Sequence, residues 1–148
     1  MGEVQTGRVL AVNISEEKGT KKINVRSCLL VKDHGLKGDA HAGPWHRQVS
    51  LLANESIEKM RDMGLNVTYG DFAENITTEG VDLVHLPIGT EIRIGDSVAL
   101  RVTQIGKICH DRCAIYYQAG DCIMPKEGIF AEVVTEGEIK AGDGITIT

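Results

Sequence analysis

One ten-residue pattern occurs twice in this chain and limits its architecture more than any other feature. Glu91-Ile92-Arg93-Ile94-Gly95-Asp96-Ser97-Val98-Ala99-Leu100 and Glu138-Ile139-Lys140-Ala141-Gly142-Asp143-Gly144-Ile145-Thr146-Ile147 share the form Glu-Ile-basic-x-Gly-Asp-x-(Val/Ile)-x-(Leu/Ile). Branched residues two apart line one face of an extended chain, and Gly-Asp between two such runs is a turn signal. Each copy is therefore expected to fold as a hairpin. Two copies are too few for a repeat protein, so the echo reflects shared turn geometry.

The same alternation runs elsewhere. Val9, Ala11 and Val12 lead into the turn-like stretch Ser15-Glu16-Glu17-Lys18-Gly19-Thr20, after which Ile23, Val25 and Cys28-Leu29-Leu30-Val31 resume it. Val49, Leu51 and Leu52 form a further short strand. Asn54 suits a helix N-cap and Gly64 a C-terminal stop, with Ile57, Met60 and Met63 on one side of the helix between them. A second short helix is expected at Asp111–Gln118, ended by Gly120. With one Trp, three Tyr and two Phe, the core must be aliphatic, and 17 glycines supply the turns. Short strands, tight turns and few helices predict a mainly β, antiparallel barrel-like fold with a few short helices. At 148 residues without a linker or low-complexity stretch, residues 1–148 read as one domain.

Composition narrows the function classes. An apolar content of 42% excludes a disordered chain, and a net charge of −5 excludes a general binder of polyanions, so nucleic acid is not an expected partner. No apolar run reaches the length of a membrane span, and Met1–Thr6 lacks the basic-then-apolar order of a signal peptide. Neither a membrane nor secretion is expected, and the default address is cytoplasmic. The four cysteines, Cys28, Cys109, Cys113 and Cys122, then read as thiols, metal ligands or a reactive sulfur rather than a disulfide framework.

Charge is unevenly placed. Residues 26–47 and 101–118 each balance at +2, whereas 51–100 sum to −6 and 119–148 to −4. The two positive stretches hold four of the five histidines, together with Cys109 and Cys113. If they meet in space they form an anion-attracting pocket with titratable groups inside. The first runs into the segment Gly35–Gln48, too polar and too broken by Gly and Pro to be regular structure, and loops of this length usually carry function. Arg47 offers a planar fork for phosphate, and His41 and His46 can donate to oxyanions or bind metal. Trp45 can stack on a ring or cover the loop base. The bland alternative is a structural loop whose Asp39 and His41 satisfy backbone groups.

The second stretch, Gln104-Ile105-Gly106-Lys107-Ile108-Cys109-His110-Asp111-Arg112-Cys113, leaves a strand and opens the second expected helix. A thiol there feels the helix dipole together with Lys107, His110 and Arg112, a setting that lowers cysteine pKa values. The thiolate attacks sulfur, carries a persulfide or binds a soft metal, so Cys109 is the candidate reactive residue. Cys113, one turn on, could be a resolving thiol or second metal ligand, and Cys28 lies in an apolar run as a core residue. Two alternatives stay open: a structural zinc held by Cys109, Cys113 and Cys122 with His110 or His41, and a redox pair of Cys109 and Cys113. No P-loop, dinucleotide fingerprint, G-x-S-x-G or H-E-x-x-H is present.

At these residues the chain resembles the MOSC family, named after the C-terminal domain of molybdenum-cofactor sulfurases. The resemblance is carried by Gly38–Gly43, His46–Leu52, Gly70–Gly80, Leu86–Gly89, Gly106–His110 and Gly142–Ile145. It implies a β-rich barrel and a strand-end cysteine, matched by Cys109, that carries sulfur as a persulfide or binds molybdenum in a pterin cofactor. Larger members bind that cofactor and reduce N-hydroxylated compounds, usually with a separate N-terminal domain for which this chain has no room. Many relatives have proline where Ile108 stands and lack a counterpart of Cys113. The resemblance thus implies a small stand-alone sulfur carrier or molybdenum-cofactor-binding domain, with sulfur-donor or molybdenum-cofactor proteins as partners. His41, His46, Arg47, Lys107, His110 and Arg112 would surround the cofactor's anionic groups.

Overall fold

Seven strands close into a barrel because one strand, β1 (Gln5–Ile14), is long enough to serve both ends of the sheet. The computed structural model describes residues 5–17, 21–106 and 127–147. After β1 come β2 (Ile23–Val25), β3 (Ser27–Val31), β4 (Gly35–Leu36), β5 (Val49–Ala53) and the helix α1 (Asn54–Asp62). Then follow β6 (Ile76–Glu79), β7 (Glu91–Ile94), β8 (Val98–Ile105), β9 (Ile129–Thr135), β10 (Gly137–Lys140) and β11 (Gly144–Ile147). Around the barrel the order is β1, β11, β7, β8, β9, β5, β6 and back to β1. One edge of β1 pairs first with β11 and then, from Val12 to Ile14, with β2, while its other edge pairs with β6. A second sheet, β10-β3-β4, packs beside it.

The expected mainly β barrel is observed, and the β1–β2 and β7–β8 hairpins form where alternation and turn residues place them. Gly95, with φ +61, makes the turn between β7 and β8. The C-terminal copy of the pattern behaves differently. Its two arms do not pair with each other: β10 pairs with β3 in the small sheet, and β11 pairs with β1 and β7 in the barrel. The turn is still built, since Asp143 accepts from Lys140 N at 2.9 Å. It is also clamped to β1 by Val9 N donating to Asp143 O and Gly142 N to Val9 O. Equal turn chemistry has been given different strand partners by the rest of the chain.

A second departure is the parallel pair β5–β6, the one parallel ladder among the described strands. A parallel pair needs a crossover, and residues 54–75, including α1, supply it. Leu51 faces the main aliphatic core while Leu52 turns outward to pack with Ile57, Met60, Phe72 and Phe130, so β5 is buried on both faces. The helix begins one residue earlier than an Asn54 cap requires. Ala53, still in register with Thr78, is the extended cap residue, and Asn54 is the first helical one. Gly64, at φ +93, ends the helix as expected, but Met63 falls in the cap and is 74% exposed.

One glycine clasps the loop that follows β4. Gly35 has φ +117, and a Cβ there would lie 2.4 Å from the carbonyl oxygen of Gln48. Both the backbone conformation and the contact exclude a side chain. Gly35→Ala is expected to cost about 2–4 kcal/mol, from backbone strain together with overpacking. The midpoint and slope of urea unfolding measure it.

Candidate functional site

The loop between β4 and β5 is held by a buried ion pair. Lys22 Nζ lies 2.7 Å from Asp39 Oδ1, and both side chains are 0% exposed. Asp39 also accepts from Ser15 N at 3.0 Å and His41 N at 3.2 Å, so it ties the loop to the end of β1. Burial alone would push its carboxyl up. The Lys22 ammonium and the hydrogen bonds outweigh that and hold it below the usual aspartate value. Lys22 Nζ further donates to Ser15 Oγ at 3.2 Å and faces His41 Nδ1 at 3.1 Å. Asp39 is thus structural, as the bland reading of the loop had it.

The other end of the loop reaches β8. Gln104 Oε1 accepts from Arg47 Nε at 3.1 Å and lies 3.0 Å from His46 Nε2. Gln104 Nε2 donates to Gly106 O at 2.7 Å, which fixes which end of the amide faces the two basic residues. Thr103 Oγ1 donates to the His46 carbonyl. The Arg47 guanidinium carbon is 5.3 Å from the Phe130 ring centre and 6.0 Å from that of Trp45. Trp45 bridges the two halves of the loop: Nε1 donates to His41 O at 2.8 Å, and its ring meets His46 edge-on at 5.9 Å.

The choice of partner for Arg47 matters electrostatically. Arg8, Arg61, Arg93 and Arg101 each pair with a glutamate. Arg47 is instead oriented by a neutral amide oxygen and two aromatic faces, and among the described residues no carboxylate pairs with it. Among the described residues, nothing neutralises its positive charge or occupies its terminal N–H groups, which suit an anion.

The structure therefore brings His46 and Arg47 to Gln104, at the end of β8, and sets the His41 ring against Lys22 on the other side of the loop. Lys107, Cys109, His110, Arg112 and Cys113, together with Cys122, lie outside the described residues. Among the described residues no group of three or more His, Cys, Asp or Glu side chains could hold a metal ion. Cys28 is buried, with Sγ directed at Lys37 O at 3.5 Å, and burial pushes its thiol up, away from reactivity. No helix among the described residues is long and apolar enough to cross a membrane.

Sequence reasoning missed Lys22 and Gln104. A lysine after a Gly-Thr turn reads as solvated, and a glutamine at a strand end has no distinguishing pattern. The only available signal for Gln104 was its place beside Gly106 in the second positive stretch.

Comparison with known proteins bears on this arrangement. A family model described as MOSC domain matches residues 38–146. No curated protein matches the chain. Among solved structures, the YuaD protein from Bacillus subtilis superposes with a TM-score of 0.83 at 20% identity, covering 99% of this chain and 98% of that one. YiiM from Geobacillus stearothermophilus gives 0.71 at 18% identity, covering 99% and 75%. YiiM from Escherichia coli gives 0.65 at 21% identity, covering 95% and 69%. At such identities the likeness is one of fold.

Proposed function

Because the chain belongs to the MOSC domain family, we propose that it is a stand-alone sulfur-carrier or molybdenum-cofactor-binding domain that uses Cys109 beside an anion site built on Arg47 and His46. The family as a whole is associated with molybdenum-cofactor and sulfur chemistry. The observation that carries the reading for this chain is the anchoring of Arg47 by Gln104, with no carboxylate pairing with it among the described residues. A cation held this way is pre-oriented without being neutralised, which suits a phosphate or oxo-anion.

The residues fit such a group. Arg47 presents a bidentate fork, and His46, whose Nε2 is committed to Gln104 Oε1, keeps its other ring nitrogen free of described partners. When bound, the cofactor supplies a molybdenum centre able to accept sulfur and to change oxidation state. Chain connectivity supports a role for Cys109 beside these groups. Gly106 N donates to Gly128 O at 2.7 Å, closing β8 against β9. Cys109 follows Gly106 by three residues, and three extended residues span at most about 11 Å.

In the sulfur-carrier form, the Cys109 thiolate attacks the terminal sulfur of a persulfide donor R–S–SH. A Cys109–S–SH bond forms, the donor S–S bond breaks, and the donor leaves as the thiolate R–S⁻. Lys107, His110 and Arg112 would stabilise the anionic sulfur, and His41, His46 and Arg47 the oxyanions of the cofactor.

Loading the protein with a small persulfide donor, followed by intact mass and peptide mapping, tests this. The expected result is a gain of one sulfur atom on the peptide containing Cys109, lost in Cys109→Ser. Arg47→Ala is expected to weaken retention of molybdopterin about 10–100-fold, the usual loss for one charge-assisted contact. Unmodified Cys109 together with no molybdopterin retention overturns the proposal. Stoichiometric zinc whose removal unfolds the protein would instead favour a structural metal site.

A further inference from the structure

His41 is pinned more tightly than a loop histidine needs to be. Its backbone N–H donates to Asp39 Oδ2 at 3.2 Å, its carbonyl accepts from Trp45 Nε1 at 2.8 Å, and its ring Nδ1 lies 3.1 Å from Lys22 Nζ. The last contact carries chemical information. An ammonium group has three N–H donors and no acceptor, so whatever faces it must accept. Lys22 is held as an ammonium by the Asp39 carboxylate 2.7 Å away, with neither side chain exposed. Nδ1 of His41 must then present its lone pair to Lys22, and the ring hydrogen must sit on Nε2.

We infer that the buried Lys22–Asp39 pair is a positioning device that locks His41 in the neutral Nε2–H tautomer, making it a fixed hydrogen-bond donor to an anion and unfit as a metal ligand. Binding a cation through Nδ1 would put that cation in place of the ammonium. Binding one through Nε2 would require the imidazole to lose that hydrogen or move it to the nitrogen facing Lys22. Donation from Nε2–H to a phosphate or oxo-anion needs no proton uptake. That His41 meets the ligand rests on the function proposed above; the tautomer does not.

The two can be tested separately with the full chain labelled with nitrogen-15 at histidine. Long-range nitrogen–proton correlation spectra, with His41 assigned by the signals lost in His41→Gln, report which ring nitrogen carries hydrogen. The expected wild-type result is a single Nε2–H tautomer near neutral pH. Lys22→Arg, which still donates to Nδ1, should preserve it, and Lys22→Met should give a mixture of tautomers. An Nδ1–H or doubly protonated His41 in the wild type overturns the inference by itself. Titrating inorganic phosphate or molybdate into the labelled protein then examines the ligand. A shift of the His41 Nε2 signal supports its role at the anion site. An unmoved signal from an intact Nε2–H tautomer counts against the proposed function and leaves the lock standing.

Discussion

Replacing Lys22 with Met is expected to lower the free energy of unfolding by about 3–5 kcal/mol, because it leaves the Asp39 carboxylate buried without its cation. The loss should depend on pH in a direction that identifies its cause. In the wild type the carboxyl is held below its ordinary value. Its contribution is complete above the unfolded value of 3.8 and disappears only as acid protonates the native carboxylate. Without the ammonium, burial pushes the carboxyl up instead, so the variant must either bury a charge or take up a proton. Its native form then binds the proton more tightly than the unfolded chain, and its stability falls as pH rises. The difference between wild type and Lys22→Met should therefore be larger at pH 8 than at pH 5. Urea unfolding at the two values measures it. Adding Asp39→Asn to Lys22→Met should recover part of the loss, since the amide oxygen can still accept from Ser15 N while no charge remains buried. A pH-independent difference, or no recovery in the double variant, would assign the effect to packing alone.

This pair also marks where sequence reading ended. Val98–Thr103 and Glu91–Ile94 were legible as strands because each presents one apolar face at a period of two, and Gly95-Asp96 between them leaves little choice but a hairpin. Val49–Ala53 was legible as a strand but not as a parallel one, because direction depends on which distant strand it meets. The second Gly-Asp turn was legible as a turn and misleading as a hairpin. Nothing in residues 138–147 says that Ile139 pairs with Cys28 while Ile145 pairs with Gly7 and Ile94. Lys22 lies deeper still. Its burial is decided by Asp39, seventeen residues on, and by the loop clasp at Gly35, so no local window contains the cause. For the site, the loop bearing His46 and Arg47 could be singled out by charge and by its lack of periodicity. The groups that orient those residues, Gln104 and Lys22, are ordinary polar residues whose role comes from three-dimensional placement.

A second buried carboxyl should produce the opposite pH signature. Glu74 is 0% exposed, and burial, outweighing its hydrogen bonds, pushes its carboxyl up to about 7. Oε2 accepts from Thr77 Oγ1 at 2.8 Å and Gly70 N at 3.1 Å, whereas Oε1 has no hydrogen-bond partner among the described residues. Thr77 Oγ1 in turn accepts from Asn13 Nδ2 at 3.2 Å, so the hydroxyl hydrogen is committed to Glu74 and the carboxyl proton belongs on Oε1. No cationic side chain hydrogen-bonds Glu74 among the described residues, which is why burial dominates. A carboxyl raised in the native state contributes fully below its unfolded value of 4.5 and loses that contribution as pH climbs towards about 7. Over this interval the accumulated loss is about 3 kcal/mol. Glu74→Gln keeps an acceptor oxygen for Thr77 and Gly70 and puts an uncharged amide where the proton sat. It should therefore gain on the wild type by about 3 kcal/mol between pH 4.5 and pH 8, the gap opening through the interval where the native carboxyl titrates. Thermal or urea unfolding of both proteins across that range measures it. A constant difference would mean that Glu74 is ionised in both states, and that its neighbours stabilise the charge far better than their geometry allows.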